Sequence, residues 1–213
     1  MKRILFLITL ISSFAVVAQK NIYESPSFDA LSADHNVLAI IPFLTNLDLN
    51  EKISKSEQKR LEENEGYAVQ NALETYFSKR SKKKNLPVTF QNIENTAAIL
   101  AKENISYENI DVYTTKELSE ILGVDGIISG TLDLNILLSN GIPTEFSFTD
   151  YFSGGANYGR IGIKISDGDS GKLLWKYEKE INKNTTDLID RMMKLAIRKF
   201  PYERERKRDR NKN

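Results

Sequence analysis

Few residues in this chain have types and spacing suited to chemistry. Asp167-Gly-Asp169-Ser170-Gly171 sets two carboxylates and a hydroxyl close together, with Glu178 at the twelfth position, in the outline of a calcium loop. The outline fails in detail. Gly171 holds the fifth position, where an oxygen ligand belongs, and Lys172 stands where the sharp-turn glycine belongs. Alternating runs rather than helices flank it, so the stretch reads as a turn. Gly154-Gly155-Ala156-Asn157-Tyr158-Gly159 is glycine-rich, yet it has neither dinucleotide nor phosphate-loop spacing and leads into a strand. His35 is the single histidine, and no nucleophile-elbow sequence presents a serine to it. It reads as a satisfied surface histidine. Asp125, Asp133 and Asp150 remain as carboxylates for an alternative class, a small-molecule binder or carboxylate-dependent enzyme. With no cysteine, a zinc site would rest on carboxylates, an unusual donor set. The expectation is therefore no enzyme, no catalytic residue, no cofactor and no metal.

The amino terminus speaks to location instead. Lys2 and Arg3 precede an apolar run from Ile4 to Val17, and Ala18 supplies a small residue before Gln19. That is the pattern of a cleaved signal peptide over residues 1–18. The run is short for a membrane span, which needs about 20 apolar residues. The chain has no cysteine to carry a lipid anchor, so the expected product is periplasmic, without a membrane span and not a lipoprotein. The leader takes two of the 30 basic residues and none of the 29 acids, which leaves the mature chain within one charge of neutral. A surface so balanced exerts no general pull on nucleic acid. Without disulfides, stability must come from an apolar core, and the chain is long enough to bury one.

The elements that build that core follow from periodicity. Residues 19–36 are polar and read as an extended lead-in; one α/β domain should span 37–200, and 201–213 should be a charged, disordered tail. Val37 to Phe43 is continuously apolar, as in a central strand buried on both faces, and Pro42 should end it. Ser54 to Arg80 carries a helical stripe of Leu61, Ala68, Val69, Ala72, Leu73, Tyr76 and Phe77. The basic run Lys79 to Lys84 reads as a solvated helix end. Leu86 to Gln91 is a short strand, Thr96 to Glu103 a helical turn or two, and Thr115 to Leu122 a helix with Thr115 as its cap and Gly123 as its stop. From Ile128 to Leu138 apolar residues alternate with Ser129, Thr131, Asp133 and Asn135, the pattern of a long strand with one buried face. A hairpin turns at Asp167 to Gly171, and a last helix runs from Thr186 or Asp187 to about Phe200.

Three passages carry a family resemblance. Val37-Leu-Ala-Ile-Ile-Pro42-Phe43, Leu122-Gly-Val-Asp125-Gly-Ile-Ile-Ser-Gly130 and Asp167-Gly-Asp-Ser170-Gly171-Lys-Leu-Leu-Trp175 resemble, in order and spacing, a group of bacterial envelope proteins. The group comprises the amino-terminal domain of the Tol-Pal translocation protein, the curli-secretion lipoprotein and the lipoprotein activators of penicillin-binding proteins. The resemblance implies a mixed sheet flanked by helices, like an anticodon-binding-domain sandwich. It also implies a non-catalytic binding or assembly module whose partner is another envelope protein, with an oligomer compatible. A subunit associated with an outer-membrane secretion pore is a further alternative. Between the long strand and the hairpin, Phe146, Phe148, Tyr151, Phe152 and Tyr158 cluster among glycines and a proline. Clustered aromatics of this kind mark interfaces, so they are the expected partner-binding residues.

Overall fold

The computed structural model describes residues 21–49, 53–84, 86–135, 158–182, 194, 196 and 198–202. These form a seven-stranded mixed sheet with helices on both sides, the α/β class expected. In chain order the strands are β1 (Ile22–Glu24), β2 (Val37–Ile40), β3 (Leu44–Leu47), β4 (Thr89–Phe90), β5 (Gly126–Leu134), β6 (Tyr158–Asp167) and β7 (Leu173–Asn182). The helices are α1 (Phe28–Leu31), α2 (Lys55–Lys84), α3 (Ile93–Lys102) and α4 (Thr115–Leu122). The order across the sheet is β1-β7-β6-β5-β2-β4.

β5 is the centre, as its alternation predicts. Ile128, Gly130, Leu132 and Leu134 are buried in one row, while Thr131 is exposed and Ser129 and Asp133 lie at intermediate depth. β6 runs antiparallel beside it from Gly126↔Asp167 to Leu134↔Gly159. On its other flank β5 pairs in parallel first with β2 and then with β3. The Ile41-Pro42-Phe43 break separates those two, as expected of a proline that cannot donate to a ladder. Sequence periodicity did not reveal β3, whose four residues are too short and too polar to show a pattern.

Because β2 lies inside the sheet, its alternate residues serve two cores. Leu38 and Ile40 join a large cluster with Val69, Leu73 and Phe77 of α2. Ala39 and Ile41 face Leu100 of α3 and Leu118 and Leu122 of α4. The α2 stripe is the one read from the sequence, although the helix runs four residues past Arg80. Thr114, not Thr115, caps α4: its hydroxyl accepts from the Glu117 amide, and Glu117 reaches back to the Thr114 amide. Gly123 ends that helix in the left-handed region, φ 64°.

Residues on either side of 37–200 also pack onto the sheet and its core. The expected lead-in contains β1, which pairs antiparallel with β7, and α1, whose Phe28 is buried. At the other end Phe200 and Tyr202 are both buried, so the packed body continues two residues past the expected boundary. Apolar anchors explain each shift: Ile22, Phe28 and Leu31 on one side, Tyr202 on the other. Residues 1–20, with the expected leader, and most of the last helix lie outside the described residues.

Candidate functional site

β6 has ten residues, so its two ends lie roughly 30 Å apart. At the pole of the 167–171 turn stands His35, contrary to expectation buried at 7% exposure. Its Nε2 is 3.0 Å from Asp167 Oδ1 and its Nδ1 2.6 Å from the Tyr202 hydroxyl. An ionised carboxylate only accepts, so Nε2 carries the hydrogen toward Asp167, while Nδ1 shares a hydrogen bond with the Tyr202 hydroxyl. The other oxygen of Asp167 accepts from the backbone amide of Ser170 at 2.8 Å and from the Ser170 hydroxyl. Burial alone would push the Asp167 carboxyl up, but the hydrogen bonds from Ser170 and His35 outweigh it and hold it below the ordinary aspartate value.

The order of this chain decides its chemistry. A nucleophilic triad needs the base between the hydroxyl and the acid. Here the acid stands between Ser170 and His35, and the hydroxyl next to His35 belongs to Tyr202, which has no exposed surface. The arrangement ties three distant segments together rather than activating an attacking oxygen. The calcium-like outline resolves the same way, since the Asp167 side chain is turned back onto its own turn.

Asp125 is similarly committed. Its Oδ2 accepts from the amides of Asn36 and Val37 at 2.7 and 2.8 Å, and its own amide donates to the Val37 carbonyl at 2.9 Å. Those bonds hold the start of β2 beside the start of β5. Asp133 lies on the face of β5 opposite the large core, 3.5 Å from the Asn46 amide group. Asp150 lies outside the described residues. The structure thus does not bring the candidate carboxylates together: Asp125 and Asp133 sit at different ends of β5. Among the described residues no cluster of three or more metal-ligating side chains occurs.

The opposite pole is where the aromatic stretch attaches. Phe146, Phe148, Tyr151 and Phe152 lie outside the described residues; Tyr158 opens β6 with Asn182 as its register partner. The two ends of the stretch are placed side by side, because Leu134 of β5 pairs with Gly159 of β6. β3 also ends there, with Leu47 opposite Leu134 and the Asp48 amide on the Leu134 carbonyl at 2.8 Å. The outer edge of β3 is closed by side chains. The Thr45 amide donates to the Tyr107 hydroxyl at 2.8 Å, the Leu47 amide to Glu62 at 3.2 Å, and Gln58 donates to the Leu47 carbonyl at 3.1 Å. That leaves the edge unavailable as a template for another strand.

What sequence reading missed was the His35–Tyr202 contact, whose partners are 167 positions apart. One signal was present: an aromatic residue two places past Phe200, just after Pro201, in an otherwise charged run.

The sequence matches no family model and no curated protein. Solved structures similar to this fold include lipoprotein GNA1162 from Neisseria meningitidis, with 10% identity, TM-score 0.40 and coverage of 76% of this chain and 94% of that one. The LpoB C-terminal domain from Salmonella enterica is similar at 11% identity and TM-score 0.38, over 74% of this chain and 94% of that one. A PelC dodecamer from Paraburkholderia phytofirmans shows 8% identity and TM-score 0.35, over 79% and 86% respectively. No helix among the described residues is long and apolar enough to cross a membrane.

Proposed function

We propose that this protein is an exported, periplasmic, non-catalytic module of the bacterial cell envelope that works by binding another envelope protein. The observation that carries the non-catalytic part is the commitment of three polar side chains, two of them buried. His35, Asp125 and Asp167, the side chains a hydrolytic site would recruit, each spend their hydrogen-bonding capacity on holding chain segments together. The location is supported by the leader pattern of residues 1–18 and by the resemblance of the three passages.

The contact surface in this reading is the aromatic stretch, with Phe146, Phe148, Tyr151, Phe152 and Tyr158 as its anchors. The geometry in its favour is the attachment: a long connection between two adjacent antiparallel strands, where two residues would suffice to turn the chain. Replacing Phe148, Tyr151 and Phe152 together by alanine should abolish recovery of the partner from envelope extracts while leaving the melting curve unchanged. Full recovery by that variant would remove the stretch as the contact surface. Fractionation and sizing of the processed protein test the class itself, since a pore-associated subunit would need detergent and run as a ring.

A further inference from the structure

The two ends of the described chain meet at one place, and we infer that the meeting is a terminal lock: the large core closes only once the C-terminal residues through Tyr202 have docked. Tyr202 has no exposed surface. Its ring lies edge-on to Phe28 with centroids 5.3 Å apart and also 5.3 Å from Phe200, and its hydroxyl is 2.6 Å from His35 Nδ1. Phe28 and His35 are among the first residues of the packed body to be synthesised, and Tyr202 is the last one described. β1 repeats the pattern at the sheet edge, where Ile22 pairs with Tyr177.

Contacts of such separation form late, because the loop-closure entropy must be met before they contribute. Without Tyr202, the Phe28 ring loses its cover and the buried His35 Nδ1 loses its hydroxyl partner. A chain growing from its amino end therefore holds an unclosed core until Tyr202 is available. On the exported reading proposed above, that delay keeps the chain threadable through a secretion channel; the lock itself does not depend on that reading.

The test uses the processed chain in four forms: full length, full length with Tyr202→Ala, and two truncations, one ending at Tyr202 and one at Phe200. Digestion rate under native conditions and the Trp175 fluorescence melt are measured. The chain ending at Tyr202 should match the full-length protein. Tyr202→Ala and the chain ending at Phe200 should be digested on the order of a hundredfold faster. If either is digested at the full-length rate, the lock is wrong. It is equally wrong if the chain ending at Tyr202 loses its melt, because closure would then need residues beyond the lock. Failure of export in cells would count against the envelope reading alone, since the lock is scored on purified protein.

Discussion

At the turn-side pole, three distant segments are joined by a run of hydrogen bonds from Tyr202 through His35 and Asp167 to Ser170. Where β2 gives way to β3, the joint is steric. A Cβ at Gly130 would lie 2.1 Å from the Gly162 carbonyl and 2.2 Å from the Phe43 ring. One at Gly66 of α2 would lie 2.2 Å from the Phe43 carbonyl. The break thus relies on two missing side chains that let Phe43 settle between the sheet and the helix. Both regions hold β5 in register with what flanks it, but they fail for different reasons. One should be sensitive to protons and polar deletions, the other to a single added methyl group.

The steric joint gives the largest expected effect. Gly130→Ala should cost about 3 kcal/mol or more, because neither a strand carbonyl nor a buried ring can yield by the required ångström. Gly66→Ala is the sharper test because two effects oppose each other. Alanine favours a helix interior by roughly 1 kcal/mol, while the clash with the Phe43 backbone costs about 1–3 kcal/mol. A net loss on a urea melt supports the close approach; a net gain would mean the helix can retreat from the break.

The polar joint comes next. Asp167→Ala leaves the buried His35 Nε2 without its acceptor and releases the amide and hydroxyl of Ser170, an exposed turn residue, to water, and should cost about 1–3 kcal/mol. Its effect should also depend on pH, which the glycine variants cannot mimic. The carboxyl is held below its ordinary value in the folded protein, so the charged form contributes stability. That stability is fully present above the unfolded value, near pH 4, and is lost as pH falls through the folded one. Stability measured from pH 7 downward should therefore drop more steeply for the natural protein than for Asp167→Asn, and at the same slope for Gly66→Ala as for the natural protein. Equal slopes for all three would mean that Asp167 carries no proton-linked part of the joint.

The contrast also explains what the sequence disclosed. β5, the α2 stripe and the hairpin were legible because each is a local period repeated over eight or more residues, and burial follows the period. Gly130 was legible as a member of the buried row, but not as a seat for Phe43, because nothing local says which ring will lie over a glycine. His35 was misread as a surface residue because a lone polar residue ahead of a strand has no period at all. Its environment is set by Asp167 and Tyr202, 132 and 167 positions away. The candidate binding stretch was legible only as composition, with its attachment points supplied by the pairing of β5 with β6.

The smallest effect belongs to the side chains that close β3. Gln58 and Glu62 are partly buried and satisfy the Leu47 carbonyl and amide from α2, so Gln58→Ala should cost only about 0.5–1 kcal/mol. What it exposes matters more than what it removes. A strand with free outward groups is a template for another strand, and these groups lie at the pole where the aromatic stretch attaches. If β3 is closed in order to prevent unwanted pairing, Gln58→Ala combined with Glu62→Ala should melt within about 2 kcal/mol of the natural protein yet self-associate at high concentration. Light scattering that stays monomeric would mean that Tyr107, still bonded to the Thr45 amide, is enough to close the edge.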